Sequence, residues 1–559
     1  MRRPSSIALL AISLVAAGGV AGCQGCHSPS PDAPRAGQPT VRLYLTSNLA
    51  GALEPCGCTK DQLGGIQHFA SWMRAQSSVA PASLFIGAGP MLYLEPTLRS
   101  GDSSQDTWKA EAIAGAFKSL GLAAWSPGYN DWAGGADGLA RCREISGATL
   151  LAGNVPGLTA TLLREVGGVK IGLVGVADPR DRMGSYPKGV SATAALDAMK
   201  SGLAEVKRQG ARVLVGLAAL PRGEALRIAD SVPELHVLVV GKPMEAGDAN
   251  DAPKAPVLAG NTLVVESANH LQSVGVVDLF VRSSKDPLVF ADAGGVARAD
   301  AMLGLASRIR DLETRINSWE LDKQVKAEDL AARKAELDKL RKEKARIEGQ
   351  QLEVHGSFFR YSMVEVRDKM GKDPAVYQAM TGYYKRVNEH NKVAFADRKP
   401  AEPQPGKPRY IGLEACSECH AEERRVWDKT KHATAYRTLV QDFKEFNLEC
   451  VSCHVTGYDK PGGSTVTHND KLRDVQCETC HGPGSLHAKD PEKKGLYVAK
   501  PDLGICLGCH HPPHVDVFDP QEKVKEILGP GHGLPSDKPP GDKKPPENKP
   551  IEGKPPEKK

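Results

Sequence analysis

Four stretches of this chain repeat one pattern: "CSECH", "CVSCH", "CETCH" and "CLGCH", all between residues 416 and 510. They set the cysteine pairs Cys416/Cys419, Cys450/Cys453, Cys477/Cys480 and Cys506/Cys509, each followed at once by a histidine: His420, His454, His481 and His510. Two thiols three residues apart reach the two vinyl groups on one edge of a porphyrin, and the adjoining imidazole turns onto the iron. The spacing therefore predicts covalent attachment of four c-type haems, with the four histidines as proximal ligands. Chance gives about 0.01 such motifs in a chain of this composition. A zinc site would use the cysteine pairs two by two and would leave the fifth-position histidine without a reason. The stretch 408–532 has 125 residues, roughly 31 per motif, too few for an ordinary core around each group. The porphyrins themselves must then supply the core, packed against one another, an arrangement suited to passing electrons.

A fifth copy, "CQGCH" at 23–27, needs a different reading. It follows two arginines, an apolar run from Ile7 to Val15 and a series of small residues, the layout of an export signal too short to span a bilayer. The tail "VAGC" resembles the lipobox of bacterial lipoproteins. That resemblance implies cleavage after residue 22 and a thioether-linked lipid on Cys23, whose sulfur is then closed to haem. Residues 1–22 are read as the signal peptide and 23–40, rich in serine and proline, as a flexible tether.

Residues 41–292 read as α/β. Apolar runs such as "VRLYLT", "SLFIG", "KIGLVGV", "RVLVGLA" and "HVLVVG" alternate with Ala/Gly-rich helical stretches. The order of "LTSNLAGALEPCGCTKDQLGGIQHFA", "FIGAGPMLY", "SPGYNDWAGG", "LAGNV" and "NTLVVESANHLQSVGVVDL" resembles the nucleotidase type of calcineurin-like metallophosphoesterases. That family holds two metal ions with Asp, His and Asn side chains. Here its ligand positions fall at Asn48, Leu49, Ala50; at Gly87, Ala88, Gly89, Pro90; at Gly128, Tyr129, Asn130, Asp131; at Ala219; and at Gly241, Lys242, Pro243. Most of these offer a cation no donor, so phosphoesterase activity is expected to be absent and no non-haem metal is expected. Cys56 and Cys58 read as a local disulfide, or as one bridge to Cys142 with a thiol left over. His68, His236 and His270 read as packed or surface residues.

The remaining segments are connecting pieces. Within 298–352, Leu305, Ile309, Leu312, Ile316 and Trp319, then Leu330, Leu337, Leu340 and Ile347, mark two short seams, a coiled-coil-like helical hairpin. It serves either as a self-association arm or, the favoured reading, as a spacer whose seams pack on each other. Residues 353–397 read as a helical connector, 398–407 as a linker and 533–559, rich in Pro and Lys, as a disordered tail. The net charge of +5 shows no concentrated basic stripe, which argues against a nucleic-acid partner.

The text around the motifs, "YIGLEACSECHAEERRVWDKTKHATAY", "NLECVSCHVTGY", "VQCETCHGPGSLHAKD" and "CLGCHHPPH", resembles the tetrahaem cytochrome c five-fifty-four/c-prime family. The resemblance implies mostly bis-histidine irons and electron transfer between periplasmic redox partners. It carries over His432 and His487 as distal ligands, with His468, His532, His511 and His514 as further candidates. The fold class expected is multidomain: an α/β metallophosphoesterase-like domain, a helical hairpin, and a mostly α and irregular tetrahaem cytochrome c domain at 408–532. The function expected is a membrane-anchored electron carrier facing the periplasm from the bacterial cell envelope, at the outer membrane. Two alternatives stay open, a haem enzyme acting on a small nitrogen compound such as nitrite or hydroxylamine, and a live phosphoesterase fused to a cytochrome.

Overall fold

A computed structural model describes residues 37–56, 62–98, 101, 103–244, 253–283, 287–321, 325–350, 354–511, 514–515, 518–529 and 531–532. Cys23 with its signal and tether, Cys58 and the 533–559 tail lie outside the described residues.

The N-terminal unit is built on two sheets. The strand Val41–Ser47 sits inside the larger one, parallel to Ser83–Ala88 and antiparallel to Ser273–Phe280. Leu122–Ser126 and Thr149–Leu150 extend that sheet. The second sheet runs in the order Val257–Ala259, Thr262–Val265, Val237–Gly241, Val213–Ala219, Val169–Ala177 and Thr161–Val166. Strand alternation decides which face goes where. Val41, Leu43 and Leu45 point between the sheets with Ile171, Leu173, Val215, Leu217 and Val239, all fully buried. Tyr44 points the other way, to a layer of helices carrying Phe69, Ile113, Phe117 and Val387. The helices Ala195–Arg208 and Arg222–Ser231 cover the outer face of the second sheet through Met199, Leu203 and Ile228. Both faces of each central strand are thus covered, which is why those strands read as continuous apolar runs. Among the described residues no helix is long and apolar enough to cross a membrane.

The segment 353–397 is more than a connector. Its strand Phe358–Glu365 pairs along its whole length with Ser273–Phe280, from Ser273 opposite Glu365 to Phe280 opposite Phe358. The helix Pro374–Ala394 follows, capped by Asp373, whose carboxylate accepts the Val376 N–H at 3.0 Å. That helix buries Val376, Met380, Tyr383, Tyr384 and Val387 in the same core as Tyr44 and Phe69. The α/β unit therefore runs past residue 292 to the end of this helix. The helical hairpin, Gly295–Leu321 and Ala327–Gly349, is an insertion between two neighbouring strands of one sheet. Its seams face each other: Ile309, Leu312 and Ile316 form one cluster with Leu337 and Leu340, flanked by Leu305 and Leu330.

Cys142 is a free, buried thiol on the helix Gly135–Ser146, so the bridge from the 56–58 region to it is corrected. Burial pushes its pKa up to about 12. His68 is held by its Nδ1 contact to the Gly371 carbonyl at 2.5 Å. His236 lies between the Leu214 N–H at 2.9 Å and the Leu288 carbonyl at 2.8 Å. Both are packed residues.

The extent of the unit is testable by dissection. A fragment of residues 37–292 exposes the Ser273–Phe280 edge and the core face that the 374–394 helix covers. It should fail to give a cooperative thermal transition by circular dichroism, whereas residues 37–398 should give one. Cooperative unfolding of the shorter fragment at a similar midpoint would contradict this boundary.

Candidate haem sites

Each motif sits on one short helical turn. His420 and His510 donate their backbone N–H to the carbonyls of Cys416 and Cys506, at 3.0 and 2.9 Å. Cys453 N–H reaches the Cys450 carbonyl at 3.3 Å, and Cys477–His481 is a complete helical turn. Residues three and four apart on such a turn share a face, so both thiols and the imidazole lie on one side. The protein supplies little packing around them. Tyr436, Leu448, Val451, Val455 and Val466 form the apolar cluster found in this module among the described residues. Tyr497, Val498, Ile505 and Leu507, beside the third and fourth motifs, stand 42–49% exposed.

The histidines test whether haem fits. A metal–imidazole bond of ~2 Å, plus the ~1 Å from that nitrogen to the ring centre, sets two rings sharing one metal roughly 6 Å apart. His420 lies 6.3 Å from His487, His510 lies 6.2 Å from His432, and His481 lies 6.3 Å from His532, measured between ring centres. Three motif histidines therefore each face one distal candidate at the required separation. The fourth, His454, acts on the charge of His514, which also feels Glu449, His511 and Lys109. His468 is placed differently, on a turn beside Phe395, with its ring nitrogen 3.1 Å from the Thr467 hydroxyl.

Ring orientation and charge state also suit an iron. His454 Nδ1 contacts the Ala435 carbonyl at 2.6 Å and His481 Nδ1 contacts the Val498 carbonyl at 2.7 Å. Donation from Nδ1 to a carbonyl leaves the Nε2 lone pair for a metal. Burial lowers the pKa of His432, His454, His510, His514 and His532, which favours the neutral imidazole that binds metal. His487 Nδ1 is buried and has no hydrogen-bond partner among the described residues. The residues present fit c-type haem.

The thiols reveal how the motifs follow one another. Cys416 lies beside Cys477, and Cys453 beside Cys509. Cys480 feels the charge of Cys506. Read in space, the order is first motif, third, fourth, second. Cys419 and His420 end this line at the exposed side.

Sequence reasoning missed the polar residues that hold the motifs. Glu478, inside "CETCH", is 3% exposed and accepts N–H groups of Ile411, Gly412 and Gly484 at 3.1, 2.8 and 2.7 Å. A glutamate between two cysteines carries no signal of burial. The second motif depends on the α/β unit. Gln105, 1% exposed, donates to Asn447 Oδ1 at 3.2 Å and accepts from Leu448 N–H and Asn391 Nδ2, both at 3.1 Å. Lys109 meets Glu449 at 2.9 Å, and Lys444 meets Glu54 at 2.6 Å. Burial lowers the pKa of each lysine, yet the facing carboxylate outweighs it and both are raised.

The other candidate site, at the strand ends of the α/β unit, is closed by its own backbone. Asn48 Oδ1 accepts the Lys242 N–H at 2.8 Å. Asp131 accepts the N–H groups of Met91, Leu92 and Gly128 at 2.9, 2.7 and 2.9 Å. Asn130 donates to the Leu94 and Met244 carbonyls at 2.5 and 3.0 Å. A Cβ on Gly241 would stand 2.1 Å from the Gly89 carbonyl oxygen, and one on Gly89 would stand 2.5 Å from Asp131 Oδ2. Among the described residues no group of three or more His, Cys, Asp or Glu is placed to hold a metal ion.

Among solved structures, the 5'-nucleotidase precursor from Thermus thermophilus is similar at a TM-score of 0.42 and 14% identity, over 75% of this chain and 69% of that one. The calcineurin-like phosphoesterase YfkN from Bacillus subtilis is similar at 0.36 and 15%, over 44% and 86%. Cytochrome c-554 of Nitrosomonas europaea is 33% identical over 107 residues, covering 16% of this chain and 46% of that protein. The chain thus spans about half the length of the curated relative it matches. Residues 415–482 match the family model for cytochrome c554 and c-prime, so the C-terminal module is similar to that family and c-type haem is the cofactor its motifs fit.

Proposed function

We propose that this chain is a lipid-anchored, four-haem c-type cytochrome that passes electrons between redox proteins of the bacterial cell envelope. The observation that carries the reading is the set of three facing histidine pairs, His420/His487, His510/His432 and His481/His532, at 6.2–6.3 Å. When bound, c-type haem supplies a one-electron couple between ferric and ferrous iron. The chain's part is to supply paired imidazoles: His420 with His487, His510 with His432 and His481 with His532 would hold iron between them and would leave a substrate no open site there. The motif order keeps neighbouring groups side by side, from the exposed Cys419 end to the second motif against the α/β unit. The anchor is Cys23, whose lipid would hold the protein at a membrane surface, the outer membrane in this reading.

Four haems and one lipid make a single mass prediction. Intact mass of the purified protein should show four haem additions plus acyl chains, and Cys23→Ser should lose the acyl mass and keep all four haems. A fifth haem, lost on Cys26→Ser, would contradict the assignment of Cys23 to lipid.

The α/β unit is read as non-hydrolytic, because Ala50, Gly87, Pro90, Ala219 and Pro243 stand where a two-metal site needs donors. Incubation of the full protein with manganese and an aryl phosphate should release no phenol above a metal-only control. Metal-dependent turnover would revive the phosphoesterase reading.

A further inference from the structure

The second motif differs from the others in what holds it. Glu478 and Gln476 anchor the first and third motifs from within the C-terminal module, through Ile411, Gly412 and Leu413. The segment 444–451, which leads into Cys450 and Cys453, is instead gripped by the α/β unit from several sides. The 103–120 helix contributes Gln105 and Lys109. The 374–394 helix contributes Asn388 and Asn391, the former accepting Phe446 N–H at 3.1 Å and the latter donating to the Phe446 carbonyl at 2.8 Å. The loop before Pro55 contributes Glu54.

Two of these contacts are ion pairs of opposite sense. In one, the α/β unit supplies the cation, Lys109, to Glu449 of the C-terminal module. In the other it supplies the anion, Glu54, to Lys444. All four charges act on Cys450, and the side chains are only 11–37% exposed. Partly buried charges a few ångströms apart interact far more strongly than they would in water. The pairs balance each other, so neutralising one member changes the net charge beside the second motif by one.

We propose that Lys109 and Glu54 are positioning residues by which the α/β unit sets the redox potential of the haem carried by Cys450, Cys453 and His454. This rests on the reading of that motif as a haem site. A negative charge nearby stabilises ferric iron and lowers the potential, and a positive charge raises it. The folded role of the α/β unit is then electrostatic control at one end of the haem line. His270 of the same unit sits near Lys109, Lys242 and His514, so the closed strand-end edge borders this end of the line too.

Spectroelectrochemical titration of the full holoprotein tests the proposal. Lys109→Gln removes a positive charge and should shift one midpoint potential downward, while Glu54→Gln removes a negative charge and should shift the same potential upward. The other potentials should stay within error, Lys109→Arg should keep the parent value, and Arg141→Gln, which breaks an exposed pair with Glu111, should move nothing. Shifts of the same sign in both variants, equal shifts of every haem, or unchanged potentials would overturn the proposal. If Lys109→Gln loses haem or fails to fold, Glu54→Gln and Lys109→Arg still decide it. Absence of haem from the second motif of the parent protein, read by mass of its peptide, would instead sink the underlying haem reading.

Discussion

A C-terminal module whose described residues hold one small apolar cluster must draw its stability from something other than side-chain packing. Burying a large apolar side chain gives about 1.5–3 kcal/mol, and Tyr436, Leu448, Val451, Val455 and Val466 are few against the conformational entropy of so many ordered residues. Two supports stand in for a core. Haem at the motifs would supply apolar bulk, and buried polar anchors fix the chain between motifs. Glu478 and Gln105 each satisfy several backbone or amide groups at once. Loss of such a hub would leave buried N–H groups unpaired, at about 1–3 kcal/mol for each.

The same constraint explains why the two modules are joined so closely. The Gln105, Asn391 and Asn447 amides are each 1–2% exposed, an amount of burial that polar side chains reach only inside a shared network. Phe395 and Phe446 add apolar contact where the 374–394 helix hands the chain to the C-terminal module. Arg398 continues that contact by its ion pair with Asp459 at 2.6 Å. Thus the segment 353–397 completes the first unit and also forms the seat of the second.

How much of this was readable in the sequence depended on range. The Cys-x-x-Cys-His spacing is local, so the thiols and motif histidines could be named without a structure, and the seams of the hairpin were visible as a helical period. The pairing of Phe358–Glu365 with Ser273–Phe280 spans the whole hairpin insertion, and no periodicity links two strands that far apart. The segment therefore read as a connector. Among the distal candidates, single histidines in a loop-rich stretch carry no mark of their partners. His532 stands opposite His481 and His468 stands on a turn by Thr467 because of chain paths that only the fold defines. Lys109 and Glu54 were invisible for a further reason: surface-like charges in an α/β text give no hint that they meet a motif more than 300 residues away.

The central claim is that the irons are closed by paired imidazoles and carry electrons. Electron paramagnetic resonance of the air-oxidised holoprotein tests it most directly. Low-spin ferric signals should dominate and should not change on addition of nitric oxide or hydroxylamine. A substantial high-spin ferric signal that either molecule perturbs would contradict the account and favour a haem enzyme acting on a small nitrogen compound.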